Sequence, residues 1–366
     1  MRIALFTDTF EQTNGIARTL ARFLSHCPKV GHTVDIYTYG TEGVEDVIGG
    51  SRVYRYSPRL PIRYYPEMSF DVALTNARLV RQFHSQQYQV VHLATPGSMG
   101  LIGHELARQS RLPVLGSYHT QVADYVRVRA RILKPQLWSL TWSYLRWFYN
   151  KCSLVLAPSR AVKAELEEHL SVPVALYPHG VDTDIFHPMY AEAHDDTRVL
   201  YVGRLAQEKN LPMLLDAFCS IPERAVLQIV GDGPLYPAFK RLNDPRIEVL
   251  GARYGQELSR IYASADIFAF PSMTDTFGLV VLEALSSELP CVVMDSGGPK
   301  DLVTDGLDGF VVSGRDTMHE RLRQLIMDQR LRRQMGLNAR LTAKGRSWEA
   351  AFGDLIASYT TITHEA

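Results

Sequence analysis

Asp275 and Glu283 lie eight positions apart in Pro271-Ser-Met-Thr-Asp-Thr-Phe-Gly-Leu-Val-Val-Leu-Glu-Ala-Leu285. An acidic pair at that spacing can hold two ends of one polyhydroxylated ligand, with one carboxylate at a helix mouth and the other about two turns in on nearly the same face. Between them, Thr276, Phe277, Gly278 and Leu279 offer backbone N–H groups at a helix start, where an anion or a sugar hydroxyl can sit. The same spacing also fits an N-cap Asp and a surface Glu on an ordinary helix. Arg204 and Lys209, five positions apart and ahead of a helical pattern over 210–218, add a second signal. Two cations beside a helix N-terminus suit a pyrophosphate, which needs charge neutralised at both phosphoryl groups. His119 closes the apolar run Pro113-Val-Leu-Gly-Ser-Tyr-His119. A histidine at the carboxyl end of a parallel strand faces the crevice where α/β folds take ligands; a satisfied core histidine is the alternative. Gly15 lets backbone approach a phosphate closely, although Thr7-Asp-Thr-Phe-Glu-Gln-Thr-Asn-Gly15 is no G-x-G-x-x-G motif and a turn glycine serves as well.

These residues need strands to hold them. Short apolar runs read as buried strands at 3–6, 32–38, 53–56, 90–93, 113–119, 154–159 and 174–177, then at 198–202, 225–230 and 267–270, with loop and helix signals between them. Strand, loop and helix in repetition predict α/β architecture with a doubly wound parallel sheet. A chain of 366 residues exceeds the usual size of one core, so two domains are expected. The boundary is placed after Pro188, giving domains 1–188 and 189–345, with a polar linker over 189–196 and a terminal helix over 346–366.

Lys plus Arg equals Asp plus Glu at 39 each, so no global field draws the chain to nucleic acid or membrane. Cys27, Cys152, Cys219 and Cys291 stand far apart without a C-x-x-C, which argues against a disulfide framework or a zinc site and for a reducing, cytoplasmic compartment. Met1-Arg-Ile-Ala-Leu-Phe6 enters a strand directly and is not expected to be a signal peptide.

One local patch departs from the neutral average. Arg127, Arg129, Arg131 and Lys134 precede Trp138, Trp142, Arg146 and Trp147, and Trp138, Trp142, Leu145 and Tyr149 fall at helical spacing. Basic residues with interfacial aromatics read as a membrane-surface contact. A buried interdomain helix with a solvated basic face is the alternative.

Further motifs stand in order along the chain: Ser117-Tyr-His-Thr, Gly180-Val-Asp with Phe186-His-Pro188, Gly203-Arg-Leu with Lys209-Asn, Val230-Gly-Asp-Gly-Pro234, the acid-x7-acid stretch, Ser296-Gly-Gly-Pro299 and Gly306 to Val312. Together they resemble the retaining glycosyltransferases of family 4, which have the GT-B fold of two Rossmann-like domains facing across a cleft. The resemblance implies an acceptor-binding first domain and a nucleotide-sugar-binding second domain, onto whose partner the terminal helix crosses back. It gives Arg204 and Lys209 the donor phosphates, Asp275 the hexose hydroxyls, Glu283 the ribose, Gly231 and Gly233 the nucleotide wall, Arg253 the base, and Tyr118 and His119 the reacting sugar and its acceptor. Asp275 stands where the family usually has Glu, one methylene longer. Asp182 and Asp184 fall in the family's crossover, so no metal or other cofactor is expected. The reaction implied is retaining hexosyl transfer from GDP-mannose or a UDP-hexose, either to a lipid at the inner face of the cytoplasmic membrane or to a soluble sugar, sugar phosphate or glycan. An epimerase or phosphorylase on the same architecture, or a non-catalytic sugar-nucleotide binder, is the rival reading; no nucleic-acid partner is expected.

Overall fold

The computed structural model describes residues 1–11, 15–41, 45–48, 50–57, 60–65, 68–72, 77–119, 121, 134–177 and 179–364. Two compact units divide the chain: Met1–Pro158, Val162–Tyr177 and Ala351–Ala366 form the first, and Ser159–Ala161 with Pro178–Ala350 the second.

The first unit carries strands β1 (Arg2–Phe6), β2 (Thr33–Tyr39), β3 (Glu45–Ile48), β4 (Ser51–Tyr56), β5 (Leu60–Tyr65), β6 (Met68–Val72), β7 (Val90–Leu93), β8 (Val114–Ser117), β9 (Leu154–Ala157) and β10 (Val174–Leu176). Its helices are α1 (Gly15–His26), α2 (Ala77–His84), α3 (Ser98–Ser110), α4 (Lys134–Tyr149) and α5 (Arg160–His169). One sheet runs β10-β9-β8-β7-β1-β2-β4-β3, parallel throughout except for β3 against β4. Central strands such as Ile3–Phe6 and Val90–Leu93 are buried along their whole length, as parallel strands covered by helices on both faces must be. Strands β5 and β6 pair antiparallel in a separate hairpin. Sequence periodicity missed that hairpin and β3. Glu45-Asp-Val-Ile48 is short, half charged and at the sheet edge, so its pairing with β4 makes it a strand rather than any propensity of its own.

The second unit is a single six-stranded parallel sheet of β11 (Thr197–Val202), β12 (Ala225–Val230), β13 (Ile247–Gly251), β14 (Ile267–Phe270), β15 (Cys291–Met294) and β16 (Gly309–Val312), in the order β13-β12-β11-β14-β15-β16. Helices α6 (Leu211–Cys219), α7 (Tyr236–Phe239), α8 (Gly255–Ala263), α9 (Leu279–Ser286), α10 (Arg315–Met327) and α11 (Gln329–Lys344) accompany it. The last helix, α12 (Trp348–His364), joins the first unit from Ala351 onward. There Phe352 packs on Phe23, ring centroids 5.2 Å apart, and the Tyr359 hydroxyl lies 2.7 Å from His92 Nδ1.

The units part at Tyr177, not at Pro188 as the motif reading had it. The segment 178–188 belongs to the second unit because its contacts are there. Val181 N–H donates to Arg346 C=O at 3.0 Å, Phe186 is buried edge-on to Tyr262, and the Arg340 guanidinium donates to Phe186 C=O and Thr183 C=O, each at 2.9 Å.

Two histidines of the first unit are stored neutral. Burial, and secondarily the neighbouring His119, lowers His92 to about 3. Burial lowers His119 to about 4. Both folded values lie below the unfolded value near 6.5, so the unfolded chain binds more protons as pH falls through the interval, and stability is lost on acidification. Each histidine should cost about 1 kcal/mol per pH unit below about 6.5. The melting temperature should therefore fall by several degrees between about pH 7.5 and about pH 5.5, before most carboxylates protonate. Calorimetric scans that superimpose at the two pH values would contradict the burial of neutral imidazoles.

Candidate active site

The strand order of the second unit fixes where a ligand can enter. The chain builds β11, β12 and β13 in one direction, then returns to the other side of β11 to lay down β14. The loops after β11 and β14 therefore leave the sheet in opposite directions and open a crevice at their carboxyl ends. Lys209 stands on the first loop and Asp275 on the second. Lys209 Nζ donates to both carboxylate oxygens of Asp275, at 2.6 and 2.8 Å. The two side chains are only 14% and 21% exposed, so the pair is partly withdrawn from water and yet reachable.

Aromatic rings and backbone bonds hold the first loop. Tyr201 stacks on Phe270 at 5.9 Å, Lys209 Nζ lies 6.0 Å from the Phe270 ring centroid, and Tyr201 O–H donates to Arg204 C=O at 3.0 Å. Burial, then the carboxylates of Asp275 and Glu208, hold the Tyr201 phenol far above its ordinary value, so it stays a donor. Asn210 turns the chain in the left-handed region (φ 55°) ahead of α6, a conformation asparagine tolerates. The loop after β12 lies directly against this one. Gly203 N–H donates to Val230 C=O and Leu205 N–H to Asp232 C=O, at 3.0 and 2.8 Å. At Gly231 (φ 145°) a Cβ would stand 1.8 Å from Gly203 O, so no other residue fits that crossing. A Cβ on Gly233 (φ 149°) would stand 2.6 Å from Leu205 O.

The second loop is pinned from below. Gly298 N–H donates to Asp275 C=O at 2.7 Å, and a Cβ on Gly298 would stand 2.1 Å from Thr276 O. Phe277 is buried edge-on to His179 at 4.8 Å, and Gly278 (φ 92°) turns the chain into α9, where Leu279 packs on the core. Glu283 sits in the second turn of α9 and accepts from Tyr262 O–H at 3.0 Å. The expectation that Asp275 and Glu283 share one helical face is corrected here. The helix begins at Leu279, so Asp275 is a loop residue oriented by Lys209 and by Gly298. Arg253 follows the edge strand β13, two strands from β11, and pairs with Glu257 at 2.8 Å.

In the first unit, Gly15 opens α1, exposed, with the Thr19 hydroxyl donating to its C=O at 2.9 Å. His119 lies just past β8, and with its value lowered to about 4 by burial its imidazole is neutral at pH 7: a hydrogen-bonding group rather than a proton donor. Tyr118 does not face an open site. It is 1% exposed, stacked on Trp142 with planes 10° apart and edge-on to Tyr149. Trp142 is 1% exposed and Trp138 half-buried, so neither is an interfacial ring. The spacing of Trp138, Trp142, Leu145 and Tyr149 marks the inward stripe of α4, where aromatic bulk fills the core. Arg127, Arg129 and Arg131 lie outside the described residues, as does the side chain of Lys134.

Sequence reasoning passed over two features. The first is Gly297-Gly298, whose motif was noted without its job of seating the Asp275 loop. The second is His92, whose Nδ1 and Nε2 lie 2.7 Å from Tyr359 Oη and Ser117 Oγ. A histidine inside an apolar strand demands such partners, but a partner 267 residues away in α12 is not legible locally. Among the described residues, no three His, Cys, Asp or Glu side chains gather as a metal site needs, and no helix is long and apolar enough to cross a membrane.

Known proteins supply the wider setting. A family model described as Glycosyl transferases group 1 matches residues 182–342, and one described as Glycosyltransferase Family 4 matches residues 13–185. The chain is 31% identical to sulfoquinovosyl transferase SQD2 of Arabidopsis thaliana over 96% of its own length and 71% of that protein's. It is 30% identical to a GDP-mannose-dependent alpha-mannosyltransferase of Mycobacterium tuberculosis, over 99% and 97% of the two chains. It is 27% identical to the alpha-monoglucosyldiacylglycerol synthase of Streptococcus pneumoniae, over 86% and 76%. Sucrose-phosphate synthase from Thermosynechococcus elongatus shares the fold, with a TM-score of 0.82 at 19% identity over all of both chains.

Gly298 gives the geometry a direct test. Its backbone is ordinary right-handed helical, so alanine strains no dihedral there and acts only through its clash with the backbone of Thr276 and Phe277. Gly298→Ala should displace the Asp275 loop and weaken nucleotide-diphosphate binding by about tenfold or more in titration calorimetry. Gly345→Ala, where the added Cβ meets nothing closer than 3.5 Å, should bind normally. Equal affinity for both variants would show that the loop need not sit where Gly298 holds it.

Proposed function

This chain belongs to glycosyltransferase family 4, and on that footing we propose that it moves a mannosyl- or glucosyl-type unit, with retention, from a nucleotide diphosphate sugar to a lipid acceptor at a membrane surface. That it is a nucleotide-sugar-dependent glycosyltransferase follows from the family. The finer reading rests on one observation above the others: a lysine and an acid meeting at the sheet crevice of the second unit, each on a loop seated by glycine contacts.

In the proposed mechanism the diphosphate lies by Arg204 and Lys209, with Gly231 and Gly233 admitting it close to the backbone. As the bond to the anomeric carbon breaks, negative charge grows on the departing phosphate. Fixed cations aimed at that charge act on the transition state more than on the ground state. Before the donor arrives, Asp275 neutralises Lys209 and keeps it extended. The incoming phosphate then shares Lys209, and the loosened Asp275 carboxylate takes the hexose hydroxyls. Asp275 is a methylene short of the Glu usual in the family, and its anchored loop is what would bring it within reach. Glu283 is the proposed ribose acceptor, Arg253 the proposed base contact, and neutral His119 a proposed hydrogen-bond partner for the sugar. Arg204 and Lys209 supply the positive charge, so transfer is proposed to proceed without a metal and to withstand a chelator. The lipid acceptor draws support from the glucosyldiacylglycerol synthase relative.

Lys209→Ala should cut transfer about a hundredfold or more. Removing Lys209 from a pair only 14% and 21% exposed leaves the Asp275 carboxylate without its cation, so the variant should also lose up to about 3 kcal/mol of stability while keeping the parent's circular dichroism spectrum at 25 °C. Turnover within about twofold of the parent would remove Lys209 from the phosphate site. GDP-mannose and UDP-glucose, each offered with diacylglycerol-type lipids and with soluble sugars, identify the acceptor class. Product formed only on soluble sugars would overturn the lipid reading.

A further inference from the structure

Helix α4 uses its inward stripe to fill the first unit's core, and that leaves another face to explain. Leu137, Leu140, Tyr144 and Trp147 follow one another at intervals of three and four, so they line one side of the helix, and they are 38%, 67%, 37% and 51% exposed. Four large apolar side chains in a row are more than the scattered exposed leucine that needs no comment. The segment that carries this face is charged in one sense only, although Asp8 acts on Tyr144 and Glu105 on Lys151 from neighbouring elements. From Arg127 to Lys151 the sequence holds Arg127, Arg129, Arg131, Lys134, Arg146 and Lys151 and not one Asp or Glu, in a chain that is neutral overall. Lys151, one turn beyond Trp147, places its Nζ 3.4 Å from the centroid of that ring. Tyr144 O–H donates to Pro96 C=O at 2.6 Å, which fixes the ring in the stripe without hiding it.

We propose that the Leu137–Leu140–Tyr144–Trp147 face of α4 rests on an anionic bilayer. The apolar side chains enter the headgroup boundary while the cations meet acidic lipid. Leucine and tryptophan flanked by lysine and arginine, without an acid, are the composition of an interfacial helix. Amphipathic lysine stems reach along the apolar surface and keep their charge in the polar layer. A protein partner with an acidic surface would be met by charge but has no need of the leucines. A second copy would bring the same cations against themselves. The inference rests on the lipid reading of the function, and it assigns the contact to other residues than the tryptophans that fill the core.

The test is flotation of the full chain with neutral phosphatidylcholine vesicles and with vesicles containing phosphatidylglycerol. The parent should float with the anionic vesicles only, and less as salt rises. The double variant Leu140→Ser/Trp147→Ser should float on the order of tenfold less. Both positions are exposed, so its fold and its thermal shift with nucleoside diphosphate should match the parent's. Flotation of the double variant equal to the parent's, or a parent that never floats, overturns the proposal. So does a parent dimer that the double variant splits while neither floats. Lipid presented in detergent micelles separates the two readings. Transfer in micelles without flotation defeats the docking face alone, whereas flotation without transfer to any lipid defeats the acceptor assignment alone.

Discussion

The second unit is arranged around one contact: a lysine and a carboxylate that meet where the sheet changes direction. Neither residue could hold its place alone. Lys209 comes off the end of β11 and Asp275 off the end of β14, and only the return of the chain across β11 makes these strands neighbours. The loops then need to lie almost in contact with the strand ends around them, which explains why glycine recurs there. At Gly231 and Gly298 a single methyl group would occupy the space of a carbonyl oxygen of the adjoining loop. The backbone is packed so tightly that the polar side chains project from a rigid floor. A diphosphate needs such a floor, because its charge is stabilised by groups that do not have to reorganise when the bond breaks.

The pair also offsets an electrostatic cost. Held apart, a lysine and an acid in a half-buried crevice would each bear a desolvation cost. Held together they compensate. The first unit follows the same economy in another form. His92 is buried between Tyr359 and Ser117, uncharged, and joins β7, β8 and the terminal helix through its two ring nitrogens. His119, two residues past that junction, is likewise neutral. In each unit, then, a buried or half-buried polar group has its charge either cancelled by a partner or suppressed by burial.

Much of the fold was legible from the chain because parallel strands buried on both faces leave unbroken apolar runs, and β1, β7, β11, β12 and β14 stand within a residue of where those runs place them. Of the strands not placed, β3, β5 and β6 are those whose existence depends on a neighbour, while β13, β15 and β16 lie in stretches read only as motifs. Of the site, spacing and residue type point to Lys209, Arg204 and Asp275 as groups able to do phosphate and sugar chemistry. They do not reveal that Lys209 and Asp275 bond each other, since a contact between residues 209 and 275 is made by topology. The eight-residue interval to Glu283 suggested a shared helical face, and the loop that precedes α9 removes it. The tryptophans of α4 show a further limit of composition: the same residue type serves a buried core and an exposed helix face. Only the helical phase separates Trp142, at 1% exposure, from Trp147, at 51%.

Crystals of the protein grown with a nucleotide diphosphate sugar would test the central claim most directly. The account predicts diphosphate density within hydrogen-bonding reach of Lys209 Nζ, the hexose hydroxyls on the Asp275 carboxylate, and a Lys209–Asp275 contact longer than 2.6 Å. A donor bound elsewhere, with that ion pair unaltered and facing only solvent, would contradict it.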